Sequence, residues 1–193
     1  MNVLVLFEQS GIVRDAFIRR GHYAISCDLA PCKNGGPHIQ GDALGHAWEW
    51  DFYDLVIAHP PCTHMAVSGN RYWANTPERQ QAADLIWYLW NIPVNRLCIE
   101  NPVGQINSYL PEMPKPQYIQ PWQFGHNASK KTGLWKRNLP DLWPTKLILR
   151  ERYANQTPSG QNKLGPSPQR SLLRSLTYQG VADAMADQWG GLK

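Results

Sequence analysis

No uninterrupted apolar run in this chain approaches the roughly 20 residues that a bilayer-spanning helix needs. Its first segment also lacks the basic n-region and apolar h-region of a secretory leader, so a soluble, cytoplasmic protein with no membrane partner is expected. Cysteine is scarce. The four present, at positions 27, 32, 62 and 98, show no zinc-type pairing, and a reducing compartment would keep them as thiols, so neither a metal site nor a disulfide framework is expected. A glycine-rich phosphate loop is missing too: the first candidate turn, Glu8-Gln9-Ser10-Gly11, holds a single glycine, a weak fingerprint of nucleotide binding.

What is present suffices for one compact domain over residues 1–193, with 42% hydrophobic residues to build its core. The net charge of +4 conceals an asymmetry. Residues 128–174 hold ten Lys/Arg against two Asp/Glu. There Lys130, Lys131, Lys136 and Arg137, interleaved with Trp135 and followed by Trp143, suit a nucleic-acid backbone with stacking surfaces beside it; a solvated basic face is the plainer alternative. Residues 153–168 are rich in Asn, Gln, Ser, Pro and Gly and read as a mobile loop. Residues 175–189 read as a terminal helix packed on the domain through Tyr178, Val181, Ala182, Met185, Ala186 and Trp189. Another helix is expected over residues 77–90, with Thr76 as N-cap and Pro77 at its first position.

The chain opens with an apolar strand at residues 2–7, a tight turn, and an amphipathic helix over residues 12–20 closed by Gly21. A second strand over residues 23–29 carries Asp28 near its end. Strand, turn, helix and a strand ending in an acid is how doubly wound α/β folds hold an adenosine-type ligand, with the acid on the ribose hydroxyls. A Rossmann-like α/β fold is therefore expected, with a mostly parallel central sheet and helices on both faces.

Two further strands run into chemistry. The apolar residues 55–58 lead into His59-Pro60-Pro61-Cys62, where two prolines fix two φ angles and leave the cysteine on a stiff loop. Residues 96–99 lead into Glu100-Asn101-Pro102. In an open parallel sheet ligands bind beyond the carboxyl ends of the strands, so Cys62 and Glu100 converge if their strands are neighbours. Taken singly, Cys62 reads equally as a small core filler and Glu100 as a salt-bridged carboxylate.

Together, the His-Pro-Pro-Cys and Ile-Glu-Asn-Pro segments resemble the nucleophile loop and base-reading strand of the cytosine-C5 DNA methyltransferases, and the chain is most similar to small phage-type members. That resemblance implies an S-adenosylmethionine-dependent methyltransferase fold and a methyl transfer to carbon 5 of cytosine. Cys62 would attack carbon 6, its thiolate favoured by positive charge from His59, His64 or the downstream lysines, while Glu100 would bind ring nitrogen 3 and the exocyclic amine. It also implies cofactor contacts from Phe7, Ser10, Gly11, Asp28, Leu29, Asp42, Ala43 and Pro60. Substrate contacts would come from Pro61, Ser68, Asn101, Lys130 and Arg137, with Asn101 also shaping the loop; Ser129, Lys130, Lys131 or Arg137 would meet cytosine O2, with Lys131 preferred. The loop holding Ser68, Gly69, Asn70, Arg71 and Trp73 would close over a base flipped from the DNA. The chain departs from the family in lacking a first-turn glycine cluster, in having Thr63 after the nucleophile, in lacking a Gln-x-Arg-x-Arg strand, and in lacking a separate target-recognition domain. A partner protein for target recognition would be consistent with the last departure. Two other classes are weighed against this one: a catalytically inactive DNA-binding relative, and a zinc-dependent base deaminase, whose H-x-E and P-C-x-x-C elements are missing.

Overall fold

The computed structural model describes residues 1–165, 167 and 170–192. Its strands are β1 (Asn2–Leu6), β2 (Tyr23–Asp28), β3 (His38–Gln40), β4 (Leu55–Ala58), β5 (Arg96–Pro102), β6 (Gln117–Ile119) and β7 (Thr132–Arg137). They form one sheet in the order β3-β2-β1-β4-β5-β7-β6. The pairs among β1 to β5 are parallel, and β7 runs antiparallel to both β5 and β6. This is the expected Rossmann-like arrangement, mostly parallel, with β1 at the point where the chain changes direction across the sheet.

The helices are α1 (Ile12–Ile18), α2 (Asn70–Trp73), α3 (Pro77–Trp90), α4 (Ile106–Tyr109), α5 (Arg170–Ser175) and α6 (Gln179–Trp189). Central strands covered on both faces read as continuous apolar runs, and Leu55, Val56, Ile57 and Ala58 are all fully buried. Alternation sends Val3, Val5, Leu55 and Ile57 to the face covered by α1 and α6, and Leu4, Leu6, Val56 and Ala58 to the face covered by α3. Thr76 caps α3 as expected, accepting from the Arg79 N–H at 3.4 Å.

Two helix boundaries differ from the sequence reading. α1 stops at Ile18, and its last turn tightens into i→i−3 bonds from Arg20 to Phe17 and from Gly21 to Ile18 before Gly21 turns at φ +79°. α6 begins at Gln179 rather than near 175, because Tyr178 is extended and the preceding backbone is drawn across the sheet end, where Lys130 Nζ donates to the Leu176 carbonyl at 3.2 Å. Ion pairs from Arg19 and Arg20 to Asp183, and from Arg20 to Asp187, join α1 to α6.

Within the polar stretch expected to be mobile, the Asn155 side chain accepts from Ser129 N and donates to Ser129 O, and Gln156 and Asn162 form a bridge. Pro166 and Pro168, at its end, lie outside the described residues. Among the described residues, no helix is long and apolar enough to cross a membrane.

Candidate active site

The register decides the site. Parallel pairing sets Ala58 beside Ile99, so the next residues in each strand, His59 and Glu100, emerge together at the carboxyl end of the sheet. His59 N donates to the Leu6 carbonyl at 3.0 Å, which ties the tail of β4 to β1, and its Nδ1 donates to Glu100 Oε2 at 2.9 Å. Both side chains are nearly enclosed, at 9% and 11% exposure.

The cysteine loop is stapled to the continuation of β5. Asn101, 1% exposed, donates from Nδ2 to the Pro60 carbonyl at 3.0 Å. The Cys62 carbonyl accepts from the N–H groups of Met65 and Ala66, Val67 N donates to Val103 O, and Gln105 N donates to Met65 O at 2.8 Å. Gly104 is the residue that permits this approach, since a Cβ there would collide with the Met65 carbonyl. Cys62 and Glu100 therefore belong to one hydrogen-bonded unit.

The local charges oppose one another. Burial pushes the half-buried Cys62 thiol up, the Glu100 charge adds to this, and Lys130 and Arg174 pull it back without cancelling the rise. For Glu100 burial also raises the pKa, but Lys130, the His59 bond and charge, and the Thr132 hydroxyl together hold the carboxyl below the usual range. Lys130 is thus the cation common to both groups. Glu100, Lys130, Thr132, Thr177, Tyr178 and Val181 line a cavity of about 20 Å³. That is room for about one water molecule, and Cys62 stands outside its wall.

Several sequence-predicted residues are displaced from this centre. The Lys131 ammonium lies 4.5 Å from the centre of the Tyr118 ring, while the charge of its neighbour Lys130 acts on Glu100 and Cys62. Arg137 sits at the opposite end of the sheet, paired with Leu97 at the start of β5, and its guanidinium donates to the carbonyls of Trp90, Ile92 and Val94. It has no access to the cysteine loop. Trp135 is buried with its Nε1 donating to Asn107, and Lys136 pairs with Asp141 and Gln117, because β7 is an inner strand whose side chains are consumed by the two faces of the sheet. Trp143 is exposed. His64 packs edge-on against Trp73, and His59 is committed to Glu100, so the cations that bear on Cys62 are Lys130 and Arg174. Pro60 is buried, Pro61 exposed, and Ser68 exposed on the 3-10 turn Val67–Gly69.

Of the residues expected around a cofactor, Pro60 follows β4 and the others lie at the carboxyl ends of β1, β2 and β3. Phe7 and Gly11 take left-handed conformations at φ +58° and +71° in the turn between β1 and α1, with Ser10 between them. Asp28 Oδ1 accepts from Ala30 N and Asp42 Oδ1 from Leu44 N, both at 2.9 Å, so each carboxylate shapes its own turn. Leu29 is exposed, and Ala43 is buried in the core, with its carbonyl accepting from Trp48 Nε1.

Sequence reasoning missed Glu8 as more than a turn residue. It is 5% exposed, and its carboxylate accepts from Val13 N at 2.6 Å, Arg14 N at 3.2 Å and the Ser10 hydroxyl at 3.3 Å, occupying the amino end of α1. Burial drives its pKa up; the charges of His59 and Arg14 and the two backbone bonds only partly offset this. The roles of Thr132 and Arg174 were missed as well. Alternation along β7 could have indicated Thr132, which pairs with Pro102, two residues beyond Glu100, whereas no local pattern marks Arg174.

No protein-family model matches the chain, and no curated protein matches it. Among solved structures, the chain is similar to an E. coli prophage-encoded protein described as a DNA modification methyltransferase, at 15% identity and a TM-score of 0.49 over 77% of this chain and 52% of the other. It is also similar to the S. pombe Dnmt2 methyltransferase (18% identity, TM-score 0.45, 74% and 51% covered) and to a mutant DNMT2 of Spodoptera frugiperda (16%, 0.48, 77% and 54%). The chain spans about half the length of each.

Proposed function

We propose that this protein is an S-adenosylmethionine-dependent DNA methyltransferase that acts on carbon 5 of cytosine through a covalent adduct with Cys62. The observation that carries this reading is the Asn101 to Pro60 bond, which fixes a cysteine loop against a strand end bearing a buried, hydrogen-bonded carboxylate. Carbon 5 of an intact cytosine is a poor nucleophile; sulfur addition at carbon 6 makes the ring enamine-like. Cys62 supplies the thiolate, Lys130 favours it, and Glu100 binds the ring edge at nitrogen 3 and offsets the charge that addition creates. Expulsion of the thiol follows loss of the carbon-5 proton.

The amino end of α1 bears on the choice of cofactor. In dinucleotide-binding folds the corresponding helix end receives a phosphate. Here Glu8 fills it, so a diphosphate would meet a buried carboxyl group already holding the free N–H groups, whereas a cationic sulfonium nucleoside would not be repelled. Phe7, Ser10 and Gly11 would flank its methionine part, and Asp28 and Asp42 its nucleoside part. Bound there, S-adenosylmethionine would supply an electrophilic methyl group.

Since a pyrimidine cannot enter a cavity of about 20 Å³, base binding requires residues 176–178 to withdraw from Glu100. The raised thiol favours a second reading, a methyltransferase-like DNA-binding protein without turnover. The deaminase alternative gains no ligand set: among the described residues, no three His, Cys, Asp or Glu side chains group to hold a metal.

The test is incubation with labelled methyl donor and duplex DNA, single-stranded DNA, RNA or dCMP. Acid-stable label in DNA, absent with Cys62→Ala, is the expected result. Methyl transfer undiminished in Cys62→Ala would overturn the nucleophile assignment. DNA binding with neither label nor a 5-fluorocytosine adduct would favour the second reading.

A further inference from the structure

The amino end of the sheet, opposite Cys62, carries a surface unlike the rest of this basic chain. Residues 48–54 read Trp-Glu-Trp-Asp-Phe-Tyr-Asp, each either acidic or aromatic. The 3-10 turn Trp50–Phe52 within them stands just ahead of β4, and α3, which starts beside the cysteine loop, ends just ahead of β5. Between that turn and the second half of α3 lies a cleft of about 550 Å³, walled by Trp50, Asp84, Trp87, Tyr88 and Asn91 over Ile92. Ligand pockets commonly have volumes of about 300–1,000 Å³.

The helix has two faces to fill. Arg79, Ala83, Ile86 and Leu89 turn into the core. Asp84, Trp87, Tyr88 and Asn91, spaced i, i+3, i+4 and i+7, share another face, and that face lines the cleft. Trp87 is 39% exposed and Tyr88 50%, so these rings are not core residues. They are not isolated either, because Trp50 continues through ring contacts to Trp48, Tyr53, Phe52 and Tyr23, and Phe52 and Tyr23 are exposed. Contiguous exposed aromatics of this kind mark interaction surfaces.

We infer that this cleft is a docking site for an arginine-bearing segment of a partner protein. None of the residues lining it is basic, so it does not suit a nucleic-acid phosphate. Its polar groups offer acceptors. Gln80 Nε2 donates to Asp84 Oδ1 at 2.8 Å, and Asn91 Nδ2 donates to the Trp87 carbonyl at 2.7 Å, which leaves the side-chain oxygens of both lining residues as acceptors for a ligand. A guanidinium is flat enough to lie on an indole face while donating to a carboxylate at its edge. The fold makes a related contact on the same helix, where the Arg137 guanidinium lies 5.7 Å from the centre of the Trp90 ring. Seating the basic region of a second copy here would be a head-to-tail contact, which builds rings or filaments, so a separate protein is the occupant inferred. The inference goes beyond the methyltransferase reading and does not depend on it.

The probe is an oligoarginine peptide, with the uncharged citrulline peptide of equal length as control. Binding is followed through the indole N–H resonances of Trp50 and Trp87, assigned with Trp50→Phe and Trp87→Phe. The expected result is a saturable shift of both resonances with the arginine peptide and none with the citrulline peptide. Asp84→Asn, an isosteric change at an exposed position, should weaken binding by about 10-fold and leave methyl transfer unchanged. Equal binding of the two peptides, or full affinity in Asp84→Asn, would overturn the inference. Self-association of the protein alone that Asp84→Asn abolishes would overturn the choice of occupant in favour of a second copy. A parent protein without methyl transfer would remove the methyltransferase reading and leave the docking site standing.

Discussion

Replacing Asn101 by alanine removes the bond between β5 and the cysteine loop without touching any group proposed to react. The wild-type side chain is 1% exposed, donates to the Pro60 carbonyl at 3.0 Å, and leaves its own Oδ1 buried without a partner. A typical hydrogen bond contributes about 1 kcal/mol net, and a buried acceptor left alone costs about 1–3 kcal/mol. Alanine also removes the orphaned Oδ1, which offsets part of the loss, so the expected destabilisation is about 2 kcal/mol. In a chain of this length that corresponds to a fall of roughly 4–8 °C in Tm, and to a lower urea midpoint with an unchanged slope. The loop should also loosen locally. Because burial is the main reason the Cys62 thiol is raised, a freed loop brings it back toward its ordinary value, and iodoacetamide alkylation near pH 8 should accelerate. Methyl transfer should move the other way, since misplacing a reacting group by about 1 Å costs on the order of 10²-fold. A stability loss below about 0.5 kcal/mol together with unchanged alkylation would refute the reasoning and show that Pro60 and Pro61 hold the loop unaided.

Lys130→Met should slow alkylation of Cys62 because it removes a cation that lowers the thiol, whereas Lys131→Met should not; equal effects would restore Lys131 to the site. Gly11→Ala should destabilise by at least about 1–2 kcal/mol, the cost of a left-handed L-residue, because a Cβ there also runs into the buried Arg14 guanidinium; retention of wild-type stability in urea would contradict this. Glu8 and Glu100 should tilt the pH dependence of stability in opposite senses. Glu8 is raised, so its contribution is present below about pH 4.5 and lost as pH rises through its folded pKa. Glu100 is lowered, so its contribution is present above about pH 4.5 and lost as pH falls through its folded pKa. Urea unfolding of Glu8→Gln and Glu100→Gln from pH 4 to 8 should therefore diverge from the parent with opposite slopes, and parallel curves would refute the assignment.

Local patterns account for much of the architecture. The run at residues 2–6 and the run at residues 55–58 are apolar at every position, which only a sheet covered on both faces tolerates. Thr76 followed by Pro77 marks the start of α3 because a hydroxyl acceptor and a residue without an N–H are what a helix's first turn accommodates. The reading of residues 130–137 as a basic, stacking surface erred for an equally physical reason. Composition counts charges, but β7 lies between β5 and β6, so Trp135 goes into the core and Arg137 and Lys136 find partners inside the fold.

By itself the sequence determined the strand and helix types, the stiff cysteine loop and the presence of a carboxylate at a strand end, because dihedral restriction, capping and hydrophobic period act over a few residues. Tertiary structure alone decided that β4 pairs with β5 in the register that sets His59 beside Glu100, that Lys130 rather than Lys131 turns inward, and that Leu176 to Tyr178 cover the carboxylate. His59 and Glu100 are 41 positions apart, and Lys130 and Leu176 are 46 apart. These relations depend on strand order and on which face of β7 each side chain occupies, and no local pattern encodes either.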